Sequence, residues 1–183
     1  MGVHSIINNK VKVTVGALIL TFAFILWEYF NGGVITHQLL ASEDLPGISN
    51  WWGLLTVPLL SWITISLTKK NQDNKVTSKR KYEDQEARIQ KHLLVSFLFG
   101  AIVSLLWEYG LESILQYFIL FPVLIALFIP VHQPANLLGF VIGMLFTFGG
   151  VLPIIIGIVL LTMAFVVNKS IQFLKNLIIS KVD

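Results

Sequence analysis

Five apolar runs, at positions 13–30, 51–68, 93–109, 114–131 and 137–167, contain no lysine or arginine. A bilayer core about 30 Å thick needs roughly 20 helical residues, so each of the first four is long enough to cross with modest tilt. Strand-like alternation is absent from them, which implies helices rather than a barrel. The chain is 55% hydrophobic and only 13% charged, too apolar for a water-facing surface at this length. An integral membrane protein is therefore expected, with positions 1–183 forming a single membrane domain. The first run is longer than the apolar core of a secretory leader, and Leu39 stands where a cleavage site ending at Ala41 needs a small residue; it is read as retained. The absence of cysteine removes thiol nucleophiles, thiolate ligands and disulfides from consideration.

Charge segregation sets the expected topology. The 13 Lys and Arg residues lie before the first run (Lys10, Lys12), between Lys69 and Lys91, and near the end (Lys169, Lys175, Lys181). By the positive-inside rule these regions face the cytoplasm, and the Lys- and Arg-free loop 31–50 faces outward. The run 137–167 would be about 46 Å long as one helix, well beyond the bilayer. Gly149-Gly150 followed by Pro153 supplies a break. The expected fold is thus all-α, a polytopic bundle of six transmembrane spans with both termini cytoplasmic. A rival arrangement has four spans, with 111–136 re-entering from outside and 137–167 crossing as one strongly tilted helix.

The tripeptide Trp27-Glu28-Tyr29 recurs as Trp107-Glu108-Tyr109, placing a carboxylate at the outer end of two spans. Carboxylates at membrane depth are expensive and commonly tied to function. They can carry protons, hold cations or act as general acid and base; the competing reading is an aromatic belt at headgroup level. His37-Gln38 and Asn50-x-x-Gly53 also echo His132-Gln133 and Asn136-x-x-Gly139, which raises an internal duplication. Gly139, Gly143, Gly150 and Gly157 are read as packing positions where helices approach closely.

The outer loop is the chain's richest polar stretch. Pro46-Gly47 marks a turn, and Ser49 or Asn50 caps the second span. Asp44 suits that helix N-terminus, or else joins His37 and the Trp51-Trp52 pair as the wall of a ligand pocket. The candidate ligand-binding set is Glu28, Tyr29, His37, Asp44, Asn50, Trp51, Trp52, Glu108 and Tyr109. No His or carboxylate spacing supports a metal, and no cofactor fingerprint occurs. The cytoplasmic loop 69–92 is basic and reads as a connector that touches anionic lipid, or as a docking site for a protein partner. Nucleic acid is not an expected partner.

Three functions fit these residues. The leading one is binding or transport of a small polar or cationic ligand from an acidic extracytoplasmic pocket. The alternatives are a membrane-embedded enzyme acting on a lipid or isoprenoid, with one carboxylate as general base, and an accessory membrane subunit without a site of its own.

The runs HQLLASEDLPGISNWWG at 37–53 and GFVIGMLFTFGGVLP at 139–153 resemble stretches of small multi-pass bacterial membrane proteins with no assigned activity. That resemblance covers about a fifth of the chain and implies a multi-pass protein of a bacterial cytoplasmic membrane. In size and span number the chain is also similar to the substrate-binding subunits of bacterial vitamin-uptake transporters, a likeness of shape without shared motifs.

Overall fold

A computed structural model describes residues 10–38, 46–73, 79–129, 131 and 133–179. Seven helices follow in chain order: α1 (Lys10–Phe30), α2 (Gly53–Asp73), α3 (Lys79–Glu108), α4 (Glu112–Phe118), α5 (Phe121–Ile125), α6 (Pro134–Phe148) and α7 (Val151–Ile179). Four stretches, Lys10–Phe30, Asn50–Lys70, Gln85–Glu108 and Val151–Leu177, are helical, long and apolar enough to cross a bilayer. The protein is an all-α membrane protein apart from one short hairpin.

That hairpin was not foreseen. Strand β1 (Thr36–Gln38) pairs antiparallel with β2 (Gly47–Ser49), His37 opposite Ile48. Gly47, expected in a turn, is instead a strand residue. A single 3-10 turn, Asn50–Trp52, then leads into α2, and the Ser49 hydroxyl accepts from the Trp51 backbone N–H.

α6 is the central helix, with ten of its 15 residues buried. One of its sides packs with Phe24 and Ile25 of α1 and Val57 of α2. Its other side packs with Val103 of α3 and Leu160 of α7. α3 and α6 lie side by side and run in the same direction: Leu93 and Phe97 flank Gly139, Phe97 and Ala101 flank Gly143, and Trp107 packs on Phe148. Backbones meet here because Gly100, Gly139 and Gly143 carry no side chain; a Cβ on any of them would strike the facing backbone.

Because the two helices are parallel, segment 109–133 returns from the Trp107 end of the bundle to the end marked by Ser96 and Asn136, whose side chains are hydrogen-bonded at 3.1 Å. The expected continuous helix over 114–131 is not formed. Pro122 has no N–H to give to Phe118, so α4 stops and α5 restarts at the proline. Below α5 the chain continues in 3-10 turns, with Leu127 donating to Leu124 and Phe128 to Ile125. The Asn168 amide of α7 holds this segment by donating to the Ala126 carbonyl at 2.8 Å.

The run 137–167 is broken where glycine allows it. Gly149 adopts φ 65°, a left-handed value that other residues resist. α7 then doubles back along α6, with Gly157 against Leu137 and Phe140. A single tilted helix over 137–167, the rival expectation, is overturned by this corner.

Candidate functional site

The repeated tripeptides meet α6 at the same end. Trp27 packs on Phe146 with ring centroids 4.8 Å apart, and Trp107 packs on Phe148 at 5.3 Å. Their acids are nevertheless in unlike places. Glu28 is 1% exposed, whereas Glu108 is exposed.

Helix termination accounts for part of the difference. In α1 the Gly33 N–H closes on the Glu28 carbonyl; in α3 the Leu111 N–H closes on the Leu106 carbonyl. Both are Schellman-type ends with a positive-φ glycine, Gly32 or Gly110. Glu28 therefore lies two residues deeper from its helix end than Glu108, about 3 Å further in and rotated about 200°.

Glu28 has one side-chain hydrogen-bond partner among the described residues. The Asn50 side-chain Nδ2 donates to its Oε1 at 2.6 Å. The second carboxylate oxygen has no hydrogen-bond partner. Asn50 is only 4% exposed, and its own backbone N–H donates to the Ile35 carbonyl at 3.0 Å. The amide oxygen of Asn50 abuts Gly149, where any Cβ would collide with it. Gly150 sits against Gly53 and Val57 of α2. Three helix ends, from α1, α2 and the α6–α7 corner, thus converge on one buried amide. Gly149 was read from sequence only as part of a helix break, and its contact with Asn50 had no local signal; Gly150 was read as a packing position as well, and it meets α2.

The other residues of the predicted outer set make contacts of their own, are exposed, or lie outside the described residues. His37 packs on Phe148 at 6.0 Å between ring centroids, and burial holds its imidazole below the ordinary value. Trp51 and Trp52 are 50% and 59% exposed. Tyr29, Tyr109 and Glu108 are exposed, and Asp44 lies outside the described residues. Glu112 is exposed in the first turn of α4, where a carboxylate suits the helix dipole. Among the described residues no three His, Asp or Glu side chains converge on a common point.

The sequence echo also fails as a duplication. Asn50 reaches Glu28 at the Trp27 end, but its counterpart Asn136 lies by Ser96, about 18 Å along α3 from Glu108. Asn136 donates to the Val131 carbonyl instead and fixes the turn into α6. His132 lies outside the described residues.

A second region was missed entirely. Between α3, the α4–α5 segment, α6 and α7 runs a groove of about 780 Å³. Its length is walled by side chains such as Phe99, Phe118, Phe121, Ile125, Phe140 and Leu160, and one end carries Arg88, Lys91, His92, Ser96, Gln133 and Asn136. α3 supplies positions 88, 91, 92, 95, 99 and 102 to this wall, spaced to fall along one helix face. That stripe is visible in the sequence once the partner helices are known, but in a lipid-exposed helix an apolar stripe has no contrast to reveal it.

No protein-family model, curated protein or solved structure matches the chain.

Proposed function

We propose that this chain is a binding protein for a membrane amphiphile, which it holds in the groove between α3, α4–α5, α6 and α7. The supporting observation is the groove itself: about 780 Å³ with a long apolar wall and polar groups confined to one end. Ligand sites of this volume, largely apolar with a few polar groups, suit a molecule of the same polarity pattern. Among the described residues no carboxylate lines it, so the carboxylate base expected of a lipid-acting enzyme has no counterpart there, and binding is the reading preferred to catalysis.

The accompanying topology is six crossings with both termini cytoplasmic, in the cytoplasmic membrane of a bacterium. The parallel run of α3 and α6 supports it, since segment 109–133 must return before α6 begins. α6 is about 22 Å long and largely buried, while α4–α5 is irregular, keeps no buried residue within its two helices and is tied to α7 through Asn168 at Ala126.

Photoreactive phospholipid incorporated with the purified protein tests the binding reading. Cross-links are expected at Phe118, Phe121, Ile125 and Leu160, and the filling variant Leu160→Trp should deplete them. Equal labelling of the groove and of Ile19 or Leu59 on other faces, unchanged in that variant, would sink it.

A second reading rests on the unpartnered Oε2 of buried Glu28: the outer end receives a small polar or cationic ligand, as the sequence suggested. Wild-type behaviour of both Glu28→Gln and Glu108→Gln in a cellular uptake assay would remove it.

A further inference from the structure

We infer that the groove selects an anionic glycerophospholipid of the cytoplasmic leaflet, its phosphate seated by Arg88, Lys91 and His92. This rests on the amphiphile reading and adds to it the charge and orientation of the ligand. Among the described residues, the polar end of the groove carries two cations and no acid. Among the described acids of α3, buried Glu86 continues the face of Leu93 and Phe97 that packs on α6, and is absent from the groove wall.

Arg88 and Lys91 stand one turn apart on α3, with His92 beside them. They belong to the basic segment that faces the cytoplasm under the positive-inside rule. A phosphate at that level meets two exposed cationic side chains on one wall, and guanidinium and ammonium groups are the side chains best suited to it. Ser96 and Asn136 are already hydrogen-bonded to one another, so they define the floor beneath the headgroup rather than move to meet it. From Lys91 to Ile102 the groove extends about 16 Å along α3, and the residues beyond Ser96 on this wall are apolar. The headgroup-to-tail order of a phospholipid is therefore matched end to end, with charge at the interface and hydrocarbon toward the bilayer centre.

The experiment is native mass spectrometry of the full chain released from detergent after incubation with an equimolar mixture of phosphatidylglycerol, phosphatidylethanolamine and diacylglycerol. Wild-type protein should retain phosphatidylglycerol over the other two by roughly 10- to 30-fold, the size of effect two basic groups have at an anionic membrane surface. The double variant Arg88→Gln/Lys91→Gln should lose that preference while still binding diacylglycerol. Lys69→Gln/Lys70→Gln, which removes two charges at the inner end of α2 outside the groove, should keep it. Equal retention of the three lipids by wild type overturns the anionic inference and leaves the amphiphile reading standing. Equal loss in the Lys69/Lys70 variant overturns it too, because general surface charge would then account for the selection. Retention of none of the three overturns the groove reading and this inference together.

Discussion

Asn50 reaches across 22 positions of sequence to give its side-chain N–H to Glu28 at 2.6 Å, while its amide oxygen rests on the corner glycine Gly149. The neighbouring ends of α1, α2 and α6–α7 are thereby tied through one side chain.

Removing that tie should cost more than removing charge. Asn50→Ala leaves a buried carboxylate without its donor, and about 1–3 kcal/mol of stability is expected to be lost. Glu28→Gln keeps an acceptor for Asn50 and should be milder than Glu28→Ala. Thermal melts in detergent of Asn50→Ala, Glu28→Ala and the double variant should be non-additive by at least about 0.5 kcal/mol. Simple addition would show that the two side chains act independently.

The glycine seam offers a sharper contrast. Gly143→Leu drives a side chain into the Phe97 carbonyl and Ala101 of α3, with an expected destabilisation of about 1–3 kcal/mol or a rearranged α3–α6 pair. Gly16→Leu on α1 meets nothing within 4 Å and should be tolerated. Equal melting temperatures for the two variants would contradict the seam.

Topology can be read directly, since the chain has no cysteine. Single cysteines at Asn31 and Gly110 are expected to react with an impermeant maleimide applied to intact cells. Cysteines at Gln133 and Lys175 should react only after permeabilisation. External labelling at position 133 would favour the re-entrant arrangement.

His37 predicts a pH effect with a definite sign. Burial lowers its protonation tendency in the fold, so the unfolded imidazole takes up a proton that the folded one resists. Stability is full above about pH 6.5 and falls as pH drops below that value toward the folded pKa. His37→Phe retains a ring against Phe148 and should flatten the difference between melts at pH 5.5 and 7.5. An unchanged difference would place its origin elsewhere.

The membrane class, the long helices, the break at Gly149 and the packing role of Gly139 and Gly143 were legible because each depends on local composition or backbone freedom. Glu28 was legible as unusual, but its difference from Glu108 was not: the tripeptides are identical, and what separates them is the glycine that ends each helix and the partner Asn50 beyond a loop. The segment 114–131 misled because hydropathy reports length and apolarity, while the loss of the Pro122 N–H decides continuity. The groove escaped notice for a related reason. In a membrane helix the residues facing a cavity and those facing lipid share one chemistry, so only the assembly of α3, α5, α6 and α7 distinguishes them.

The parallel seam of α3 and α6 has a consequence for biogenesis. A chain made from its N-terminus delivers α3 to the bilayer while its closest neighbour is still unsynthesised, and residues 109–133 must follow before Gly139 and Gly143 arrive. During that interval Gly100 lacks the α6 backbone that lies against it in the finished chain. Assembly of this protein therefore includes a late, long-range docking step that follows insertion of its individual helices.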